Sequence, residues 1–285
     1  MAHPKAVDYT HADLARPGID LHWPASSIWR PGEPAVRRIG LEDLRQVITK
    51  GIDDFKAMPT HAIFLAILYP VLGLILMRLA FGYDVLPLVY PLLAGFALLG
   101  PLAAVALYEM SRRRERGLDT SVSNLGEVFR SPAIGSILAL GLMLTAIFFA
   151  WLGVAQAMYA QIMGGEEPTS LSAFMRDILT TPAGRELIIV GNVVGFFFAL
   201  LVLVISAVSF PMLLDRDVSV GTAVRTSVRA VIANPLTMAV WGLIIAAALF
   251  LGSLPLFFGL AVVFPILGHA TWHLYRCVVS DDATI

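Results

Sequence analysis

Six long apolar stretches constrain the fold of this chain more than any other feature of its sequence. The hydrocarbon of a bilayer cannot satisfy an exposed backbone amide, so a mostly apolar stretch of about 20 residues crosses it as a helix. These stretches cover residues 61–82, 86–108, 133–156, 187–213, 235–253 and 255–275. The sequence therefore predicts an all-α integral membrane protein with six transmembrane helices.

The composition agrees with this class, since 58% of the residues are hydrophobic and 14% are charged, with a mean hydropathy of +0.78. Residues 1–40 contain proline, glycine and scattered charge without an apolar core of the kind found in a signal peptide. We expect them to form a polar, disordered arm in the cytoplasm. The membrane domain is expected over 41–276, followed by a cytoplasmic tail at 277–285.

The distribution of lysine and arginine predicts the orientation, because cytoplasmic flanks of membrane helices retain these residues. They fall in residues 1–56, in the 109–132 and 214–234 connections and at the C-terminal end. The opposite loops hold only Arg176 and Arg185, and Arg78 lies inside the first predicted span. Both termini are therefore expected in the cytoplasm, with the protein in the inner membrane. A net charge of −1 argues against nucleic acid as a partner, and we interpret "SRRRERG" at 111–117 as an anchor at the membrane surface.

A unit of one surface helix, one proline-started span and one proline-kinked span recurs three times, over 41–116, 121–216 and 217–276. We expect the surface helices at 41–56, 121–130 and 219–233, with membrane-facing residues Leu41, Leu44, Val47, Ile48 and Ile52 in the first and Val224, Val228, Val231 and Ile232 in the last. The starting prolines are Pro59, Pro132 and Pro235, and the kinking prolines are Pro101, Pro211 and Pro265. The middle unit has an additional outside segment, 157–186, with a short helix predicted at 170–179.

Alignment of the kinked spans at their prolines brings four polar residues onto one stripe at the cytoplasmic helix ends. Asp215 and His269 follow the proline by four positions, and Glu109 and His273 follow it by eight. Two histidines spaced four apart, with carboxylates, are a pattern that can bind a divalent metal ion or relay protons. The alternative is that all four are solvated helix ends.

Other cofactors and catalytic sites have little support in the sequence. A bis-histidine haem needs imidazoles from opposite sides of the iron, but His269 and His273 share one face of one helix, and His61 is the only other histidine near a span. No phosphate loop, nucleophile elbow or metal-thiolate motif occurs. We therefore predict no cofactor and no catalytic residue.

Three runs resemble a bacterial family of integral membrane proteins known as domain of unknown function 2189. They are "PLLAGFALLGPLAAVALYEMSRRRERG", "SFPMLLDRDVSVGTAVRTSVRAVIANPLTMAVWG" and "PILGHATWHLYR". The resemblance implies an inner-membrane protein without an established activity. Some relatives carry the label of a cytochrome c oxidase subunit, but the chain has too few intramembrane histidines for a catalytic haem–copper subunit.

These observations predict a non-enzymatic accessory or scaffold protein that contacts membrane lipids and other membrane proteins, among which a respiratory complex is one candidate. Two alternatives stay open. The repeated hairpins and polar stripe could line a path for a small solute or an ion. The same stripe, Glu109, Asp215, His269 and His273, could serve a membrane enzyme that acts on a lipid-like substrate.

Overall fold

The computed structural model describes residues 34–58, 86–121, 132–164, 168, 170–255 and 257–280. Helices make up most of this part of the chain. The helices are α1 (Leu41–Ala57), α2 (Val89–Phe96), α3 (Gly100–Ala103), α4 (Val105–Glu115), α5 (Ile134–Met163), α6 (Leu171–Thr180), α7 (Pro182–Ser206), α8 (Ser209–Asp215), α9 (Val220–Ala233), α10 (Pro235–Ser253) and α11 (Leu260–Val278). Two short strands, β1 (Ala35–Val36) and β2 (Val279–Ser280), form one antiparallel pair.

Four helical runs among the described residues are long and apolar enough to cross a membrane, which confirms the all-α membrane class. They are Leu86–Glu115, Ile134–Met163, Pro182–Asp215 and Pro235–Ser253, and each covers one predicted span. The predicted span at 61–82 lies outside the described residues. The stretch predicted as the last span forms α11, which is not among the four, since its C-terminal half carries His269, His273 and Arg276.

Two of the membrane runs are interrupted near their prolines. The first is interrupted by a 3₁₀ turn at Ala97–Leu99, before Pro101. The second is interrupted after Ser206, before Pro211. A proline lacks the amide hydrogen for the helix, and its ring clashes with the carbonyl four residues earlier, here at Ala97 and Ala207. Pro265, in contrast, lies inside the continuous helix α11.

Helix α1 has the predicted helical structure, but its apolar face lies against protein. Leu44, Val47, Gly51 and Asp54 are buried, and the partner is α11, with which α1 makes the most extensive helix pairing in the described part of the chain. Leu41 is 53% exposed. The prediction that this face contacts the membrane was therefore wrong for its buried residues. They pack on α11, because Gly51 permits a close approach to the α11 backbone.

Helix α9 also forms where a surface helix was predicted, with a different buried face. Its buried residues are small or hydroxylated, namely Ala223, Thr226, Ser227 and Ala230. The predicted membrane-facing valines are only partly buried, and Ile232 is 48% exposed. Small side chains allow α9 to pack closely on α7 and α8. The third predicted surface helix, 121–130, lies outside the described residues except for Ser121.

The end of the N-terminal arm is held on the opposite end of the chain. Ala35 and Val36 pair with Ser280 and Val279. The side chain of Asn234, between α9 and α10, accepts a hydrogen bond from the Ile39 amide at 2.7 Å and donates one to the Arg37 carbonyl at 3.0 Å. Residues 34–40 thus have a defined position, which was not expected from their polar composition.

The segment predicted outside the membrane, 157–186, is largely helical where it is described. Helix α5 continues to Met163, and the predicted short helix is confirmed as α6. The Ser170 side chain begins α6 by accepting a hydrogen bond from the Ala173 amide at 3.1 Å. Gly184 of α7 lies against the backbone of α6, where a side chain would collide with the Asp177 carbonyl. Helices α6 and α7 are therefore closely packed.

Candidate functional site

A buried polar cluster, which we call the Asp54 cluster, joins α1, α4 and α11. It consists of Asp54, Ser111, Arg114, His269 and His273. The Ser111 hydroxyl donates to Asp54 Oδ2 at 2.6 Å, and His273 Nε2 lies 2.9 Å from the same oxygen. Arg114 forms an ion pair with Asp54 Oδ1. Asp54 is only 3% exposed, so one carboxylate holds three helices together through polar contacts.

These contacts keep Asp54 ionised. Burial by itself would raise the pKa of the carboxyl, but hydrogen bonds from His273 and Ser111 and the positive charge of protonated imidazole lower this pKa to about 2. Both carboxylate oxygens have partners in the cluster, as a buried charge requires. At neutral pH the cluster therefore contains a carboxylate that can only accept hydrogen bonds.

His269 lies at the inner end of the cluster and is completely buried. Its Nδ1 is 2.8 Å from the Ser111 hydroxyl oxygen. Its other nitrogen, Nε2, has no hydrogen-bond partner among the described residues. The hydrogen bonds thus run from His273, at the edge of the cluster, through Asp54 and Ser111 to His269.

The four residues of the predicted stripe do not gather at one point. His269 and His273 belong to the Asp54 cluster, whereas Glu109 accepts hydrogen bonds from Arg112 at 2.7 and 3.0 Å. In the described ranges, no group of three or more histidine, cysteine, aspartate or glutamate residues is arranged to hold a metal ion. The helix-end alternative also fails for Glu109 and His269, which are buried and not solvated.

Asp215 belongs to a second cluster, formed by the C-terminal ends of α4, α8 and α11. It accepts hydrogen bonds from Arg116 at 2.7 Å and from the Tyr275 hydroxyl at 2.8 Å. Glu115 accepts from the Trp272 indole at 2.8 Å and from Arg276 at 3.1 Å. Arg276 also lies 3.4 Å from Asp215. The convergence predicted from the proline alignment thus holds for the helix ends, with different side chains in contact.

The run 111–117 contributes to both clusters, in addition to any contact with the membrane surface. Its arginines contact carboxylates in three directions: Arg112 binds Glu109, Arg114 binds Asp54 and Arg116 binds Asp215. A helix turns by about 100° per residue, so arginines two positions apart point to different neighbours. The interpretation of this run as a membrane anchor was therefore incomplete, because Arg112, Arg114 and Arg116 pair within the protein.

Sequence reasoning missed the two central residues, Asp54 and Ser111. A signal for Asp54 was present in the sequence, since it continues the buried face of Leu44, Val47 and Gly51 at helical spacing. A carboxylate on such a face needs a buried partner. The position of Ser111 could not be recognised in this way, because serine is common in membrane helices and its partners come from α1 and α11.

The cluster contains serine, histidine and aspartate, but not in the order of a hydrolytic triad. In a triad the histidine lies between the serine and the carboxylate. Here Ser111 lies between Asp54 and His269, and it is only 1% exposed. The arrangement can hold or exchange protons, but it does not activate the Ser111 hydroxyl toward a substrate.

Comparison with protein families identifies the central part of the chain. The matching family is described as "Predicted integral membrane protein (DUF2189)". The match covers residues 89–215 of the chain. This confirms the resemblance drawn from the sequence. No curated protein and no solved structure matches the chain.

The DUF2189 match contains only one side of the Asp54 cluster. Ser111 and Arg114 lie within the matched residues, whereas Asp54, His269 and His273 lie outside them. The cluster therefore depends on contacts between the DUF2189 region and the helices on both sides of it in the sequence.

Proposed function

We propose that this chain is a bacterial inner-membrane protein with six spans and both termini in the cytoplasm. The arginine and lysine distribution supports this orientation. The second polar cluster adds structural support, because Arg116 pairs with Asp215 and Arg276 pairs with Glu115. These pairs bring the C-terminal ends of α4, α8 and α11 together, which fits three hairpins whose ends share one side of the membrane.

The positions of the residues that precede and follow the segment 59–85 support the number of spans. Asp54 contacts Ser111 and Arg114 near the C-terminal end of α4. Leu86, in contrast, begins the same helical run at its other end. The span predicted from the sequence at 61–82 fits these two positions. Helix α11 supplies the sixth span in this proposal.

The proposed threefold unit has support from equivalent local features. Helices α1 and α9 both precede proposed proline-started spans, and two membrane runs are interrupted before Pro101 and Pro211. The C-terminal ends of all three hairpins carry charged residues that contact one another. Helix α11 is less regular in this respect, because it continues through Pro265 without a break.

For the activity, we propose a non-enzymatic accessory or scaffold role beside another membrane protein. The observation that carries this proposal is that the charged side chains at the converging helix ends pair with one another. Such pairing supports a stable structure more than a reactive site, which would present polar groups to a substrate. Helix α7 offers a surface for a partner, since Ile189, Phe196 and Phe197 are each more than 60% exposed.

A photo-crosslinking amino acid at position 197 in living cells tests this role. We expect a discrete protein adduct that also copurifies with the native protein after gentle solubilisation. The same amino acid at position 243, which is 68% exposed on α10, is the matched control and should give lipid adducts only. Lipid adducts at both positions, together with a native preparation that contains no stoichiometric partner, would contradict the proposal.

A second candidate function is transport of a small solute or an ion. The buried hydrogen bonds from His273 through Asp54 and Ser111 to His269 favour it, because buried ionisable groups in membrane proteins often mark ion or proton pathways. Flux measurements on the purified protein in liposomes separate the two proposals. Transport by the isolated protein, abolished in Asp54→Asn and retained in Asp53→Asn, would favour this candidate over the accessory role.

A further inference from the structure

The hydrogen bonds of the Asp54 cluster determine which nitrogen of neutral His269 carries its proton. The Asp54 carboxylate can only accept, and the single hydroxyl proton of Ser111 is donated to it at 2.6 Å. The Ser111 oxygen must therefore accept a proton from its other neighbour, His269 Nδ1, at 2.8 Å. Neutral His269 is thus protonated on Nδ1 and has a lone pair on Nε2.

The lone pair on Nε2 is buried without a donor in the described part of the molecule. The Leu107 backbone carbonyl also acts on this ring, but a carbonyl cannot donate to a lone pair. A buried acceptor without a partner destabilises the folded protein. Because the other nitrogen is fixed by Ser111, the ring cannot avoid this cost by moving its proton to Nε2.

We propose that His269 Nε2 is a proton-binding site, with Asp54 as its counter-charge through Ser111. Hydronium transfers a proton to the Nε2 lone pair: an N–H bond forms, an O–H bond of hydronium breaks, and water is released, with no other bond of the protein broken. The resulting imidazolium donates from Nδ1 to Ser111, which donates to Asp54. This activity goes beyond the accessory role, since it makes the junction of α1, α4 and α11 responsive to proton concentration.

The charged and titratable groups that face His269 are Asp54 from α1, Arg114 from α4 and His273 on α11 itself. The low pKa of Asp54, about 2, ensures that the counter-charge is present over the range in which an imidazole titrates.

Nitrogen NMR of the full chain, labelled with ¹⁵N-histidine in lipid nanodiscs, tests the proposal. The His269 signals are assigned by their loss in His269→Asn. At neutral pH we expect protonated Nδ1 and unprotonated Nε2 in His269, and one added proton on Nε2 as the pH falls. His273 provides an internal contrast, because its Nε2 faces Asp54 and should be protonated. Finding the Nε2 proton on neutral His269 would overturn the proposal, and the protonation state is read from the wild-type protein.

Two variants and a control examine the counter-charge. Asp54→Asn should lower the proton affinity of His269 about tenfold, and Ser111→Ala should release the preference for Nδ1. Ser206→Ala is the matched control, because Ser206 is equally buried but donates only to the Val202 carbonyl. An unchanged His269 titration in folded Asp54→Asn would overturn the proposed role of Asp54, as would an equal shift in Ser206→Ala.

Discussion

Asp54 is the residue on which the polar contacts between α1, α4 and α11 depend. Both of its oxygens have partners from other helices: Ser111 and Arg114 on α4, and His273 on α11. A buried charge without its partners is strongly destabilising, so these contacts are interdependent. A change at Asp54 therefore affects the packing of all three helices.

Replacement of Asp54 by asparagine should lower the free energy of unfolding by about 3 kcal/mol, because the amide lacks the charge that pairs with Arg114 and His273. The measurement is thermal or denaturant-induced unfolding of the protein in detergent, followed by tryptophan fluorescence. Asp53→Asn is the matched control, because Asp53 is exposed and its replacement should have little effect. Equal losses in the two variants would contradict the assigned role of Asp54.

The same carboxyl should make the folded protein sensitive to acid. Its pKa is lower in the folded protein, about 2, than its ordinary value of 3.8. Its contribution to stability is therefore fully present above pH 3.8 and is lost as the pH falls through about 2, up to about 2 kcal/mol. Unfolding measurements on wild type between about pH 5 and pH 2 should show this loss, whereas Asp54→Asn should lack it. Parallel pH profiles of the two proteins would count against this prediction.

Packing between α1 and α11 depends on a close backbone approach at Gly51. A side-chain carbon at this position would lie 2.8 Å from the Ala270 backbone nitrogen and 2.8 Å from the Ile266 carbonyl oxygen. Backbone atoms cannot move aside as the end of a flexible side chain can. Gly51 therefore allows α1 to reach the depth at which Asp54 meets His273.

Gly51→Ala should destabilise the protein by about 2 kcal/mol through overpacking, even though alanine favours a helix over glycine by about 1 kcal/mol. Gly135→Ala is the control, because a side chain at Gly135 on α5 meets open space, and it should leave stability unchanged or raise it. The unfolding midpoint should thus fall in Gly51→Ala and should stay the same or rise in Gly135→Ala. A stabilised Gly51→Ala would show that the two helices are not in close contact.

Asn234 holds the end of the N-terminal arm through its bonds to Ile39 and Arg37. Asn234→Ala should release this segment and make residues 34–40 more accessible to protease, since their backbone groups lose a fixed partner. Mass spectrometry of limited-proteolysis fragments measures the rate of cleavage in this range. Asn192→Ala, which removes an exposed asparagine on α7, is the control. Equal cleavage rates in both variants would rule out this function of Asn234.

At the level of the whole molecule, the paired helix ends divide the protein into two sides. The ends of α4, α8 and α11 share the ion pairs of Asp215 and Glu115. Helix α6 follows the C-terminal end of α5 in the chain. The proposed topology assigns the first side to the cytoplasm and α6 to the outside.

Single-cysteine labelling in spheroplasts checks this assignment. In a Cys277→Ala background, Ser172→Cys on α6 should react with a membrane-impermeant maleimide from outside. Leu118→Cys, at an exposed residue after α4, should react only after the membrane is permeabilised, because it follows the arginine-rich run. The reverse pattern would invert the topology, and reaction of both residues from outside would contradict the hairpin arrangement.

The amino-acid sequence by itself determined the features that depend on local length and spacing. Long apolar runs required membrane helices, and four of the six predicted spans appear as runs of sufficient length in the described residues. The helical spacing of apolar residues predicted α1 and α9. The prolines at 101 and 211 predicted interruptions, because the missing amide hydrogen and the ring clash act within one helical turn.

Only the tertiary structure decided which faces pack together and which polar groups meet. Asp54 and His273 are 219 positions apart in the chain, and no local pattern relates them. The apolar face of α1 has a pattern that suits contact with lipid or with protein. It contacts protein because Gly51 fits closely against α11. The four residues of the predicted stripe also lie apart because of the tertiary structure. A buried charge must be paired where it lies, so each carboxylate contacts an arginine or hydroxyl group that the crossing helices supply.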